Sequence, residues 1–310
     1  MGAVATRKAF GDAILRMGED PRVVVLTGDL KNSTNVEDFA AKFPDRFIDV
    51  GIAEKNMLGV AAGLALSGKI PWACSFAAFN ANRLEVVRLS IAYNRANVRI
   101  VGTHVGIGIG DDGATQMALE DIAAMRALPN MAVIQPCDEV ETHRAVEYLM
   151  EHDGPAFLRL MRQGTDAVHD GAYRFAFGEA DALRDGGDVA LIATGALVQS
   201  ALAAADELAA DGVSARVLNV HTLQPFDAQA VAEAARACGK VVAAEDHNVN
   251  GGLGSAVAEA IAEAGVGARL VRVGLRSFGE SGKTDELYAK YGLDGAGVAR
   301  AARSLLERGR

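Results

Sequence analysis

The sequence predicts an α/β protein of two domains, each a mostly parallel sheet with helices on both faces. Three observations predict it. Short β-branched runs alternate with apolar-faced helical segments from one end of the chain to the other. The rhythm breaks over residues 163–187, QGTDAVHDGAYRFAFGEADALRDGG, where Gly and Asp replace periodic apolar residues. A length of 310 residues is long for one core and suits two units of about 150 residues each. The expected division is a first domain over residues 1–165, a linker over 166–187 and a second domain over 188–310.

Taken in order, the run Val23 to Leu26 reads as a strand that leads into the loop Gly28-Asp29-Leu30 and an amphipathic segment near Val36 to Ala41. A second strand, Phe47 to Val50, is ended by Gly51. From Glu54 onward, Met57, Leu58, Ala61, Ala62, Leu64 and Ala65 form an apolar helical surface. Next come a strand from Ile70 to Ser75, a helix from about Asn82 to Tyr93 and a strand from Val98 to Gly102. A glycine-rich loop follows, then a helix around Leu119 to Arg126, a strand from Met131 to Ile134, a helix to Met150 and a strand from Ala156 to Leu160. Asp138 with Glu141 three residues later forms a capping box. Beyond the linker, strands at 189–193, 215–218, 241–244 and 268–273 alternate with helices. Two further helices, near 285–290 and 297–306, close the chain.

Half the residues are hydrophobic, enough for large buried cores. The net charge of −9 argues against nucleic acid as the main partner, although a local Arg cluster can still bind an anion. Cys74, Cys137 and Cys238 are widely spaced and form no CxxC pattern, which suits a reducing compartment and argues against structural zinc. No apolar run approaches the roughly 20 residues needed to span a bilayer, and the N-terminus lacks a signal-peptide stretch. A cytoplasmic chain with no membrane partner is expected. Met1-Gly2 with Thr6 fits the loose N-myristoylation pattern, but Thr6 and Arg7 have another use below.

Two features carry chemistry on residues alone. Glu54 sits in the first turn of an apolar helix, where the helix dipole favours a carboxylate and apolar walls strengthen its hydrogen bonds. Complementing the dipole and serving a site both explain it. Gly108-x-Gly110-x-x-Gly113 follows a strand and formally satisfies a dinucleotide fingerprint. Its place deep in the domain, the repulsive pair Asp111-Asp112 and the lack of a ribose-binding acid count against that reading.

The segments GIAEKNM, AAGLALSGKIPW and SFAAF (residues 51–79) resemble the pyrimidine-binding domain of transketolase and its thiamine-diphosphate relatives. TGALVQSALAAADEL and EDHNVNGGLGS resemble the C-terminal domain of the same enzymes, so the similarity covers nearly the whole chain. The resemblance implies that Glu54 hydrogen-bonds the aminopyrimidine ring of thiamine diphosphate and favours the tautomer that activates the cofactor. Phe76 and Phe79 would pack on that ring, with Asn82 where many relatives place a third aromatic. Asp29 of GDLKNS would face the cofactor and donor pocket. Arg7 of ATRK, Ser33, His104 and Arg162 would converge on the substrate phosphate, Arg because its planar fork matches phosphate oxygens. Asp112 would bind a donor sugar hydroxyl. Gln116 stands where many microbial and plant relatives have His, so it can hydrogen-bond a hydroxyl without imidazolium charge. His247 is left outside this site as a structural residue.

The GDG segment and following Asn pair of the family's diphosphate-binding domain are missing. Asp112-Gly113 and Asp185-Gly186-Gly187 lack the Asn, so no metal ligands are expected on this chain. The chain therefore resembles the C-terminal half of a split transketolase. An N-terminal subunit would bring the diphosphate site and Mg²⁺ or another divalent cation, and this chain would pair with itself in an α₂β₂ assembly. The implied reaction moves a two-carbon ketol unit from a ketose phosphate to an aldose phosphate. The alternatives are a deoxyxylulose-phosphate-synthase-like half, a 2-oxoacid dehydrogenase beta-type subunit and a non-catalytic scaffold. Lys55-Asn56-Met57 departs from the His-rich continuation of the first. A purely nucleotide-binding protein is less favoured.

Overall fold

The computed structural model describes residues 2–307; Met1, which opens the myristoylation-like pattern, and residues 308–310 lie outside the described residues. The strands of the first part are β1 (Val4–Ala5), β2 (Val23–Thr27), β3 (Phe47–Asp49), β4 (Ile70–Phe76), β5 (Arg99–Thr103), β6 (Ala132–Ile134), β7 (Ala156–Arg159) and β8 (Gly164–Thr165). Those of the second are β9 (Asp181–Arg184), β10 (Val189–Ala193), β11 (Ala215–Asn219), β12 (Thr222–Gln224), β13 (Lys240–Asn248) and β14 (Arg269–Leu275). Every residue of β2, β4, β5, β7 and β10 is buried, the burial expected of parallel strands covered on both faces.

The first sheet has seven strands in the order β12-β6-β7-β5-β4-β2-β3, parallel except where β12 joins β6. The second has five, β14-β13-β10-β11-β9, with β9 antiparallel at the edge. Two strands depart from the expected division. Residues 181–184, inside the stretch read as linker, form β9, and residues 222–224, from the second part of the chain, complete the first sheet as β12. Three-residue pairings set by tertiary context leave no sequence period to read.

One face of the first sheet is covered by the helices Thr6–Met17 and Glu139–Glu151, whose Phe10, Ile14, Ala145, Val146 and Leu149 share a core with β2 and β7. The other face carries the helix Glu54–Leu66 and belongs to a core that runs without a break into the second sheet. The N-cap half of the expected capping box is present: Asp138 accepts from Glu141 N at 2.8 Å, whereas Glu141 reaches past the N-cap to accept from Cys137 N at 2.7 Å. The expected single helix from Asn82 to Tyr93 is broken. A short helix, Ala77–Ala81, is capped at Asn82, and after a turn at Arg83 the segment Leu84–Val86 passes into a π-type turn over Val87–Ala92. Apolar residues keep a helix-like period through that change, so the sequence does not reveal it.

Candidate active site

The sheet order decides where the chemistry collects. Strands β3, β2, β4, β5 and β7 are neighbours and parallel, so the loops after them leave from one edge. Those loops carry Glu54, Asp29 with Ser33, Phe76 with Phe79, His104 with Asp112, and Arg162. The chain runs from β2 outward to β3 and then returns across to β4, making the β2–β4 boundary the switch point where open α/β sheets bind ligands.

Glu54 opens the helix Glu54–Leu66 at this boundary. It is 6% exposed, and the Ser75 hydroxyl at the end of β4 donates to its Oε1 at 3.2 Å. Its Oε2 makes no hydrogen bond within the described residues. A Cβ on Gly28 would lie 3.4 Å from Oε1, so a side chain at this position would crowd the carboxylate. Asp49 Oδ1 accepts from Asp29 N and Gly51 N, at 3.0 and 2.9 Å, tying the loops after β2 and β3 together. Asp29 itself is exposed with a left-handed φ of 65°. Phe76 and Phe79 stack with centroids 5.3 Å apart, and Phe76 also stacks on His104 at 3.8 Å.

The anion residues are brought together from both ends of the first domain. β1 pairs antiparallel with β8, and Thr6 Oγ1 accepts from Met161 N, which sets Arg7 beside Arg162. Arg7 donates to the Ser33 carbonyl at 2.6 Å, while its buried Nε has no partner among the described residues. Burial and the nearby Arg162 lower the Arg7 pKa. His104 feels burial first and then both arginines, which together push its pKa down to about 3. It is therefore neutral near pH 7 and can serve an anion only as a hydrogen-bond donor, not as a cation. Arg162 donates to the Ile109 carbonyl and lies 3.6 Å from Asp112, joining the anion cluster to the glycine-rich loop.

Among the described residues, two expected residues, Asn82 and Gln116, make no side-chain hydrogen bond to these groups. Asn82 is exposed at the end of its short helix and, with Ala114, Thr115 and Phe278, lines a cleft of about 500 Å³. Gln116 is half-buried after a turn closed by its own N–H on the Gly113 carbonyl. His247 is wholly buried among Asp121, Glu245 and the Asn248 carbonyl, away from solvent, and burial lowers its pKa to about 4. Sequence reasoning missed Ser75 and Asp49, whose signal was only that each ends a strand next to a site loop. Gly110 and Gly113 of the fingerprint-like loop face second-domain residues, and Gly108 faces Gln163: a Cβ on Gly110 would lie 3.3 Å from the Gly282 carbonyl and one on Gly113 3.5 Å from Ser281 Cβ.

A separate polar cluster lies where the first domain meets the connecting segment. Cys137, Asp138 and His169 present ligand-type atoms within 4.8 Å of one another. Asp138 Oδ2, however, already accepts from Val168 N, His169 N and the His169 ring, at 2.8, 2.8 and 3.0 Å. The other ring nitrogen meets Asp181 at 2.9 Å.

Comparisons with known proteins show the family. Residues 2–166 match the transketolase pyrimidine-binding domain and residues 178–298 the transketolase C-terminal domain. A 6-deoxy-6-sulfo-D-fructose transketolase subunit from Clostridium sp. is 45% identical over 97% of this chain and 94% of its own length. Human transketolase is 36% identical over 98% of this chain, which spans 49% of the human protein. A solved split gene transketolase, described as an inactive beta4 tetramer, superposes with a TM-score of 0.92 at 43% identity, covering 99% of this chain and 100% of that one. The chain belongs to the transketolase family, as a subunit with the pyrimidine-binding and C-terminal domains.

Proposed function

We propose that this chain is the C-terminal subunit of a split, thiamine-diphosphate-dependent transketolase that moves a two-carbon ketol unit from a ketose phosphate to an aldose phosphate. In this reading the pyrimidine-binding domain covers residues 1–165 and the C-terminal domain 188–310. The observation that carries it is the convergence of Arg7, Ser33, His104 and Arg162 at the sheet edge that also presents Glu54, with a buried Arg7 Nε that has no partner among the described residues. An orphaned buried donor costs free energy unless a ligand meets it.

The pocket suits the cofactor's ring: a nearly buried carboxylate with a free oxygen stands at the same edge as a stacked aromatic pair. When bound, thiamine diphosphate supplies the carbanion chemistry. Glu54 holds the proton at the ring nitrogen, Phe76 and Phe79 give the ring an apolar wall, and Asp29 and Asn82 flank the pocket. Arg7, Ser33, His104 and Arg162 hold the anionic end of the sugar, and Asp112 and Gln116 accept or donate to its hydroxyls. The diphosphate and Mg²⁺ belong to an N-terminal partner subunit.

Exposed Ile52 beside Glu54, at 85%, and Leu66, Leu89 and Tyr93, at 67, 56 and 80%, support burial of this surface against a partner and a second copy in an α₂β₂ assembly. Three buried, unpaired cysteines support a reducing, cytoplasmic setting, and no helix among the described residues is long and apolar enough to cross a membrane.

The test is donor cleavage with thiamine diphosphate and Mg²⁺, by this chain alone and then with its N-terminal partner. Activity only in the complex supports the proposal; full activity of this chain alone overturns the split reading. Xylulose 5-phosphate and a sulfonated ketose serve as parallel donors, because the Arg cluster fits either tetrahedral oxyanion and the Clostridium relative is named for a sulfosugar.

A further inference from the structure

The second domain reaches into the first at one place that the proposed chemistry leaves unexplained. Asp246, near the end of β13, is 2% exposed, yet its carboxylate points at the backbone of the glycine-rich loop. Oδ1 accepts from Ile107 N at 2.9 Å, and Oδ2 lies 3.4 Å from Gly108 N. These N–H groups open the 3₁₀ turn Ile107–Asp112, where first-turn donors lack intrahelical partners and attract negative charge. Tyr288 donates to Oδ2 at 2.6 Å and itself accepts from Gln163 at 2.8 Å.

The same domain grips the rest of the turn. Thr284 donates to the Gly108 carbonyl at 3.2 Å, and the Ser281 hydroxyl donates to the Asp111 carbonyl. The loop's composition fits this contact. Gly106 has φ 68°, and a Cβ there would fall 2.0 Å from Asp246 Oδ2. On the opposite side Arg162, of the anion cluster, holds the Ile109 carbonyl. The turn ends at Asp112, beside Arg162.

We propose that Asp246, with Ser281, Thr284 and Tyr288, is the positioning set for the loop that carries Asp112 and Gln116, so that the second domain sets how tightly the donor sugar's hydroxyls are held. This rests on the transketolase reading of Asp112 and Gln116. A loop with left-handed glycines at 106, 110 and 113 has many backbone conformers open to it, and contacts from the second domain select one. The set acts through the loop and touches no reacting atom.

The experiment uses this chain with its N-terminal partner, in Asp246→Asn, Tyr288→Phe, Thr284→Val and Thr284→Ser forms. Amide hydrogen exchange over residues 105–113 is followed together with donor KM and kcat. Asp246→Asn is expected to speed exchange across the turn and raise donor KM about tenfold, equivalent to 1.4 kcal/mol, with kcat changed less than about twofold. Tyr288→Phe and Thr284→Val move the same quantities less, and Thr284→Ser, which keeps the hydroxyl, restores wild-type values. Should Asp246→Asn fail to fold, the Thr284 pair decides. Unchanged exchange in every variant overturns the anchoring, and faster exchange with an unchanged donor KM overturns the positioning role. If the wild-type complex turns over no ketose phosphate, the functional reading fails instead, and the exchange result alone decides whether the second domain holds the loop.

Discussion

Two histidines, His104 of the first domain and His169 of the segment that follows it, sit in opposite electrostatic company. His104 lies among Arg7, Arg162 and the Phe76 ring, and its pKa is driven down to about 3. His169 lies between Asp138 and Asp181, and despite the opposing effect of burial those carboxylates raise its pKa to about 10. The first cluster is cationic, with the buried Arg7 Nε donor unmet among the described residues; the second is anionic and its charged groups are paired internally, with Tyr173 and Asn219 donating to Glu141 at 2.8 and 2.9 Å, although the Asn219 Oδ1 acceptor has no partner among the described residues. A polar cluster whose charged members satisfy one another holds structure together. One whose donors lack acceptors awaits a ligand.

The comparison breaks first at the site. Glu54→Ala should lower turnover by roughly 10²- to 10⁴-fold, the usual worth of positioned proton transfer, while the complex with the partner subunit still assembles. Retained turnover would remove this carboxylate from the chemistry. Arg7→Ala and Arg162→Ala should each raise donor KM by about 10- to 100-fold, from loss of charge-assisted hydrogen bonds. Inorganic phosphate should raise the Tm of the wild-type chain and not of either variant; equal Tm shifts in all three would make the cluster structural.

The second cluster is tested by stability against pH. A folded pKa near 10 against an ordinary value of 6.5 means that His169 contributes fully below about pH 6.5, and that the contribution is lost as pH rises toward 10. His169→Asn should therefore cost on the order of 1–3 kcal/mol at pH 6 and little at pH 10, read by urea unfolding. His104 has the reverse sign. Below pH 6.5 the unfolded chain takes a proton that folded His104 refuses until about pH 3, so stability falls on acidification. His104→Gln should flatten that acid limb slightly, the smallest effect of the series.

What the sequence disclosed, and what it hid, follows from separation along the chain. The strands β2, β4 and β10 were legible because each opens on an apolar run, and Glu54, Arg7 and Arg162 were singled out because their segments resemble a known family. The Asp246 contact with Ile107 spans 139 positions and carries no local period, so EDH disclosed only a histidine read as structural. Asp29 and His104, at φ 65° and 59°, occupy backbone that the sequence marks with no glycine, and only the folded edge makes those conformations intelligible. The break after Asn82 was hidden for a different reason: over the six residues Val87–Ala92 the longer π repeat is too short-lived to separate from the α period.

The strand β12 has a consequence for cutting the chain. Residues 222–224 leave the second part of the polypeptide to zip onto Ala132–Ile134 at the margin of the first sheet. A protease nick within 166–187 would therefore leave two fragments still clasped, eluting together as one particle. Expressed alone, the first fragment would display the bare margin of β6, with Val133 and Ile134 beside unpaired backbone groups, and such margins recruit other chains. The first sheet is therefore not separable from the chain's own second half.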